Sequence, residues 1–132
     1  MKDNISDMLT RIRNGQNAKL KNIILFYPTP KICIMLLDVL KKNGFIWGYT
    51  FINYNNKEHL NVFLKYTKDQ NPIIKKIKRI STPGKRIYIR STLLWKKNTG
   101  MGIFIISTHM GLKTDNECRF LNLGGELICY IQ

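Results

Sequence analysis

The chain has 132 residues, of which 22 are Lys or Arg and 8 are Asp or Glu, so its formal net charge is +14 at pH 7. A short chain with this charge repels itself unless a polyanion neutralises it, which favours nucleic acid over an anionic membrane surface as the partner. No apolar run approaches the roughly 18 residues of a membrane-spanning helix, which argues against an integral membrane protein. The length allows one compact unit or two small touching lobes.

Two helices are predicted in the N-terminal half. Apolar residues recur at helical spacing within residues 4–17, after Asp3 as a plausible N-cap. A second helix is predicted to begin at Thr29 and Pro30, as N-cap and first turn, and to end at Gly44.

Strands are predicted around these helices. Residues 21–27 form a short strand, and residues 45–53 and 59–66 form a hairpin around an Asn55–Asn56 turn. The expected N-terminal lobe, residues 1–67, is therefore α/β, with two helices on one face of a three-stranded sheet.

The C-terminal half is predicted to be mainly β. Strands are expected at residues 73–80, 86–90, 102–107 and 126–131, with a turn at Thr82-Pro83-Gly84-Lys85. Thr114 and Glu117 have capping-box spacing and open a short helix at residues 115–121. We expect residues 68–132 to form this second lobe, which gives an α+β fold of two small lobes.

The three cysteines and two histidines do not suggest a metal site or a disulfide framework. Cys33, Cys118 and Cys129 are odd in number and widely spaced, which favours buried thiols in a reducing compartment. His59 and His109 lie in different halves of the chain and give no metal-ligand spacing. Because nucleotide-binding glycine motifs are also missing from the sequence, we expect neither a metal nor another cofactor.

A long basic window begins after Asp69, because the next acidic residue is Asp115. Tyr88 and Trp95 are interleaved with its cations, and such aromatic faces can stack on bases or riboses. The alternative is a solvated strand edge guarded by lysines. The cations of this window include Lys75, Lys76, Lys78, Arg79, Lys85, Arg86, Arg90, Lys96 and Lys97. Arg79 and Arg86 flank the Pro83-Gly84 turn, so we expect both to contact the same nucleic-acid backbone.

Hydroxyl residues follow the apolar strand of the C-terminal half. Ser107 and Thr108 either satisfy backbone groups of their loop or reach phosphate and 2′-OH oxygens from a close approach permitted by Gly111. A catalytic role would need Ser107, His109 and an acid to converge. Asp115 is better explained as a first-turn helix residue, so no catalytic residue is assigned.

The tract Gly124-Gly125-Glu126 comes between the last helix and the last strand. We expect the glycines to make a helix-terminating turn with positive φ. Glu126 has two open interpretations in so basic a lobe: it orients an arginine, or it accepts hydrogen bonds from a base edge.

Ordered motifs run through almost the whole chain. Residues 102–125 (GIFIISTHMGLKTDNECRFLNLGG) contain the pattern Ser107-Thr108-x-x-Gly111-x-x-Thr114-Asp115, and Gly124-Gly125-Glu126 follows. Upstream segments are residues 7–14 (DMLTRIRN), 44–46 (GFI), 64–66 (LKY), 80–88 (ISTPGKRIY) and 100–103 (GMGI), and Cys129 completes the set. Together these segments resemble the bacterial-type small-subunit ribosomal protein eight family. His109 departs from the family's third small hydroxyl, and Pro30 stands where the family usually has a hydroxyl residue.

The resemblance implies a structural constituent of the small ribosomal subunit that binds the central domain of its rRNA. The C-terminal lobe would hold an irregular RNA helix, and the N-terminal lobe would add backbone contacts and face neighbouring ribosomal proteins such as protein five. No membrane or small-molecule partner is implied. The predicted RNA-binding residues are Ser107, Thr108, His109, Tyr88, Arg86, Lys85, Arg79, Gly124, Glu126, Lys31, Arg13 and Lys96. The alternatives are a free translational repressor that binds messenger RNA and an RNA-processing enzyme.

The amino-acid composition of the chain gives information about the genome that encodes it. Ile, Asn and Lys are abundant, whereas Ala occurs only at Ala18 and Val only at Val39 and Val62. This bias is typical of A+T-rich coding, as in organelle genomes and some endosymbionts or parasites. We therefore expect a mitochondrial ribosome in the matrix, with the plastid or the cytoplasm of an A+T-rich bacterium as alternatives.

Overall fold

The computed structural model describes residues 3–93 and 101–132. Contacts between residues divide the protein into two units. The N-terminal unit runs from Asn4 to Ile74, and the C-terminal unit runs from Lys75 to Gln132 and includes Asp3. Within the described residues, no helix is both long and apolar enough to cross a membrane. Predicted site residue Lys96 and its neighbours Trp95 and Lys97 lie outside the described residues.

The N-terminal unit contains two helices and an antiparallel sheet. Its elements are α1 (Asn4–Asn17), β1 (Asn22–Leu25), α2 (Lys31–Lys42), β2 (Ile46–Tyr54) and β3 (Lys57–Leu64). The sheet order is β1–β3–β2, which places β3 in the centre. Both predicted helices and the predicted hairpin are therefore confirmed.

Local chemistry accounts for these elements. The apolar stripe of α1 buries Met8, Leu9 and Ile12 almost completely, which is what amphipathic spacing predicts. Asn55 and Asn56 both have positive φ, at 52° and 62°. This conformation suits a two-residue hairpin turn, and Asn tolerates it better than most residues.

The expected N-cap of α2 was wrong by one residue. Pro30 is the N-cap, and it supplies no side-chain hydrogen bond. Its carbonyl oxygen accepts from the backbone N–H of Cys33 at 3.0 Å. The Thr29 hydroxyl is buried and has no hydrogen-bond partner among residues 3–93 and 101–132, so it does not cap the helix.

Residues 68–74 pack with the N-terminal unit, whereas sequence analysis began the second lobe at residue 68. The backbone N–H of Ile73 donates to the Lys65 carbonyl at 3.1 Å. The N–H of Ile74 donates to the side-chain oxygen of buried Gln16 at 3.3 Å, and the Gln16 amide donates to the Lys65 carbonyl at 3.2 Å. These bonds tie the segment to α1 and to the end of β3.

The C-terminal unit is a five-stranded antiparallel sheet with one short α-helix. Strand β8 lies between β6 on one side and both β4 and β5 on the other, and β7 pairs with the outer edge of β6. The elements are β4 (Ile77–Arg79), β5 (Tyr88–Ile89), a 3₁₀ turn (Ser91–Leu93), β6 (Ile103–Thr108), β7 (Gly111–Thr114), α3 (Asp115–Leu121) and β8 (Gly125–Ile131). Together with the N-terminal unit, this is the predicted α+β fold class.

Two strand predictions need correction. No strand was predicted at residues 111–114, but they form β7 and pair with β6 from Thr108↔Gly111 to Ile105↔Thr114. Four residues with a glycine at the start carry too little alternation to predict a strand, and pairing with β6 creates it. Of the strand expected at residues 73–80, only β4 is present. The backbone N–H groups of Ile73 and Ile74 donate to residues of the N-terminal unit instead.

Helix α3 begins as the sequence predicts. The Thr114 hydroxyl accepts from the Glu117 N–H at 3.3 Å, and the Glu117 carboxylate accepts from the Thr114 N–H at 3.3 Å, which completes a capping box. Cys118 of α3 packs into a buried cluster with Ile106, Leu123 and Leu127. The helix therefore covers one face of the sheet near the paired glycines.

Candidate nucleic-acid interface

Three predicted site residues form a row across the C-terminal sheet. Tyr88 of β5 pairs with Glu126 of β8, and Glu126 pairs with Ser107 of β6. Directly paired residues of neighbouring strands direct their side chains to the same face of a sheet. The backbone register therefore brings an aromatic ring, a carboxylate and a hydroxyl side by side, and we call these three residues the Tyr88 row.

Paired glycines allow the strands to meet at this row. A Cβ atom on Gly125 would lie 2.1 Å from the carbonyl oxygen of Ser107, and one on Gly124 would lie 2.6 Å from the carbonyl oxygen of Ile89. The expected positive φ at these glycines was wrong. Asn122 makes the left-handed turn after α3, with φ 55°, and the glycines serve close backbone approach instead.

Glu126 holds Arg86 beside the Tyr88 row. The Nη1 atom of Arg86 lies 3.0 Å from one carboxylate oxygen of Glu126 and 3.2 Å from the other. The hydrogen bond to Glu126 and the negative charge of this residue raise the pKa of Arg86 above its ordinary value. Of the two roles left open for Glu126, the structure shows the orientation of an arginine. The Arg86 side chain remains 54% exposed, so its cationic group is available at the surface.

A groove adjoins Tyr88, whose side chain is 68% exposed. Its volume is about 750 Å³, and its lining residues are Tyr88, Ile89, Arg90, Ser91, Thr92, Gly124 and Gly125. Sequence analysis did not assign Ser91 and Thr92. The signal that could have found them is their position, because two hydroxyl residues directly follow Arg90 of the basic window.

Ser107 and Thr108 have different roles although they are neighbours. The Thr108 hydroxyl donates to the Gly111 carbonyl at 2.8 Å and accepts from the Met110 N–H at 3.1 Å, which closes the β6–β7 turn. The Ser107 hydroxyl makes no hydrogen bond with another described residue. Its side chain lies on the same face of the sheet as those of Tyr88 and Glu126. Of the two interpretations for this pair, loop stabilisation describes Thr108, and RNA contact by Ser107 stays a prediction.

The two arginines that flank the Pro83-Gly84 turn also differ. Arg79 is 14% exposed, and its guanidinium donates to the Asp3 carboxylate at 3.3 Å and to the Ile128 carbonyl at 2.6 Å. These contacts hold Arg79 within the unit, whereas Arg86 stays at the surface. Arg79 and Arg86 therefore do not form an exposed pair of cations that could contact one nucleic-acid backbone.

The remaining predicted residues are exposed, but strand pairing does not bring them together as it does Tyr88, Glu126 and Ser107. Lys85 lies in the turn closed by paired hydrogen bonds with Thr82, and His109 lies at the tip between β6 and β7. In the N-terminal unit, Arg13 is exposed on α1 and Lys31 is exposed at the first residue of α2. No group of three metal-ligating side chains occurs among residues 3–93 and 101–132.

The three thiols are buried, as predicted. Burial raises the pKa of Cys118 to about 11 and that of Cys129 to about 12, because the thiolate form loses its hydration. Thiols held in this way are poor nucleophiles at neutral pH, so they belong to the core.

Comparisons with known proteins identify the family. The sequence profile described as "Ribosomal protein S8" matches residues 3–132. The chain belongs to this family. A relative named "Small ribosomal subunit protein uS8", from Wigglesworthia glossinidia brevipalpis, is 50% identical over 132 residues, which are 100% of this chain and 98% of the relative. Proteins of the same name from Blochmanniella pennsylvanica and Geobacter sulfurreducens are 47% and 41% identical, each over 99% of this chain and 98% of the relative.

Family membership confirms the predicted resemblance and its main consequence. A member of the ribosomal protein S8 family is a structural ribosomal protein of the small subunit and not an enzyme. The relatives named above are bacterial, so the comparisons do not support the expected mitochondrial location. They fit the alternative of a bacterial ribosome.

Proposed function

We propose that the chain binds the central domain of small-subunit rRNA and organises that RNA during assembly of the subunit. The observation that carries this proposal is the Tyr88 row beside the groove of Arg90, Ser91 and Thr92. It combines an exposed aromatic ring, a free hydroxyl and an oriented guanidinium on a chain of net charge +14. These are the groups that bind unstacked bases, 2′-OH groups and phosphates.

In this proposal, the residues that contribute affinity and those that contribute specificity differ in how firmly each side chain is held. Lys85 is an exposed turn residue, and its long side chain suits a phosphate contact that contributes affinity without sequence information. Tyr88, Glu126 and Ser107 are fixed by strand pairing, so they fit only an RNA surface of matching shape. The row thus recognises an irregular helix, and the surrounding cations strengthen its binding.

The N-terminal unit has a supporting role in this proposal. Arg13 and Lys31 contact the RNA backbone, and other parts of the unit face neighbouring ribosomal proteins such as protein five. Its exposed aromatic residues include Phe26 and Phe51, which offer apolar area to protein partners. The proposed location is the small subunit of a bacterial ribosome, consistent with the bacterial relatives.

Sedimentation of a native lysate on sucrose gradients tests the ribosomal assignment. We expect the chain to co-migrate with small subunits at both low and high salt. A variant with Tyr88→Ala and Ser107→Ala should move partly to light fractions at high salt, whereas Tyr54→Ala is the matched control. Recovery of the unmodified chain only in light fractions would favour a free messenger-RNA binder and would contradict the assembly role.

Binding to a purified central-domain RNA fragment tests the electrostatic part. If the C-terminal unit neutralises about five phosphates, log K should fall against log salt with a slope of roughly −3.5 to −4.5. A slope near zero would exclude phosphate neutralisation as the source of affinity.

A further inference from the structure

A second aromatic and cationic surface lies in the N-terminal unit, at the start of β2. Strand pairing shifts there: Ile46 pairs with Leu64 and Gly48 pairs with Phe63, so Trp47 has no partner on β3. A β-bulge of this kind redirects the side chain of the extra residue. The bulge presents Trp47 to solvent, and its side chain is 64% exposed.

One lysine lies over the indole, and a second lies beside the neighbouring residue Gly48. The Nζ atom of Lys65 lies 4.5 Å from the centroid of the Trp47 ring, a short cation–π distance. Lys41, in the last turn of α2, runs past Gly48, and its Cε lies 3.6 Å from the position that a Cβ would occupy there. Gly48 has φ 152°, so the residue that permits the bulge also leaves room for Lys41. We call Trp47, Lys41 and Lys65 the Trp47 patch.

Neither lysine of the patch is neutralised by a carboxylate within the described residues. The nearest acidic residue along α2, Asp38, accepts a hydrogen bond from the Tyr49 hydroxyl at 2.6 Å. The Trp47 indole N–H likewise has no acceptor among the described residues. The patch therefore combines two ammonium groups, one of which lies over the indole, with an exposed aromatic ring and an available donor.

We propose that the Trp47 patch binds an unpaired nucleotide of RNA, with the base stacked on the indole and the flanking phosphates at Lys41 and Lys65. The inference rests on the proposed RNA binding and adds a second contact site to it. A peptide of Asp and Glu would engage the two lysines but has no aromatic ring to stack on the indole. A stacked base uses all three side chains, and such stacking tolerates any base because every base has a π-face.

The intrinsic fluorescence of Trp47 reports on the site directly. The chain has two tryptophans, so Trp95→Phe leaves Trp47 as the only one. We expect a labelled single-stranded RNA of about ten nucleotides to bind this full-length background and to quench Trp47, as stacking on aromatic side chains requires. A fully paired duplex, which offers no unstacked base, should quench it much less.

Matched variants separate the patch from general charge. Lys41→Ala with Lys65→Ala should weaken the quenching titration at least about fivefold and should reduce its salt slope by roughly 1.4. Lys57→Ala is the control, because Lys57 forms the other lysine–aromatic pair of the unit, with its Nζ 6.0 Å from the Tyr27 ring centroid. We expect Lys57→Ala to leave the Trp47 titration unchanged. Circular dichroism of each variant checks that it folds.

Anisotropy of the labelled RNA makes the failures distinguishable. If the RNA binds by anisotropy while Trp47 fluorescence stays constant, the patch proposal is overturned and the proposed RNA binding stands. If central-domain RNA and single-stranded RNA both fail to bind, both proposals fall. Equal quenching by polyglutamate would overturn the patch proposal in favour of an acidic protein surface.

Discussion

The two units offer RNA-binding chemistry in different ways. In the C-terminal unit, strand register fixes Tyr88, Glu126 and Ser107 in one row, and Gly125 lets the strands approach closely. In the N-terminal unit, cations such as Arg13 and Lys31 lie exposed on helices. Groups fixed by the backbone can discriminate between RNA shapes, whereas exposed cations mainly add affinity. The difference predicts that specificity resides in the C-terminal unit.

The largest expected effect comes from closing the glycine approach. Gly125→Ala would force a Cβ atom against the Ser107 carbonyl, which has no room to move without breaking the β6–β8 pairing. We expect the free energy of unfolding of the C-terminal unit to fall by about 3 kcal/mol, the upper range for overpacking. Urea denaturation followed by hydrogen exchange of β8 amides measures this loss.

Gly84→Ala is the matched control for that substitution, because nothing lies within 4 Å of the position of its Cβ. The change should alter stability by less than about 0.5 kcal/mol. Equal effects at Gly125 and Gly84 would contradict the role of close approach in building the Tyr88 row.

The next effect compares two exposed tyrosines, one in each unit. Tyr88 is 68% exposed and Tyr54 is 66% exposed, so their removal costs little packing. Tyr88→Ala should weaken binding to central-domain RNA by about 1–3 kcal/mol, the range for one aromatic–base stack. Tyr54→Ala should change it by less than about 0.5 kcal/mol in the same filter-binding assay. Similar losses for both variants would break the contrast between the units.

The ion pair beside the row should matter more for recognition than for stability. Because Arg86 is largely exposed, solvent screens the ion pair and it contributes little to folding. Glu126→Gln keeps the shape of the side chain but removes its charge, so thermal denaturation should change little. The preference for cognate RNA over random duplex should fall, since a neutral amide holds Arg86 less firmly than a carboxylate does. An unchanged preference would exclude Glu126 as a positioning residue.

The smallest expected effect is a pH dependence confined to the N-terminal unit. The hydrogen bond to Asp38 raises the pKa of Tyr49 from 10.0 to about 12. The folded state therefore keeps the Tyr49 proton while the unfolded state loses it, so stability is present below pH 10 and falls as pH rises toward 12. Tyr49→Phe should flatten this part of the stability profile, measured by denaturation between pH 9 and 12. A variant with the same slope as the unmodified chain would rule out Tyr49 as its source.

Local sequence signals predicted the elements that carry their own chemistry. The apolar stripe of α1, the Asn55–Asn56 turn and the Thr114–Glu117 capping box each act over a few residues, and the structure has all of them. The short β4 depends on β8, a partner far away in the chain, and β7 exists only through its pairing with β6 across a tight turn, so their extents were missed. Residue spacing alone does not carry that information.

The candidate site shows the same limit. The resemblance selected Tyr88, Glu126 and Ser107, but their alignment depends on a register shift between Ile105 and Ile106 that no sequence pattern indicated. Arg79 and Arg86 are equivalent in sequence, as cations on either side of one turn. Only the packed structure shows that Arg79 donates to the Ile128 carbonyl.

Parallel titrations of central-domain RNA and of a random duplex would test most directly whether the Tyr88 row recognises RNA shape. The two variants are Ser107→Ala, which removes a hydroxyl of the row, and Lys85→Ala, which removes an exposed charge. We predict that Ser107→Ala weakens the cognate complex several-fold more than the random one, while Lys85→Ala weakens both by the same factor. If the two variants change the ratio of affinities equally, recognition does not depend on the row, and charge alone holds the RNA.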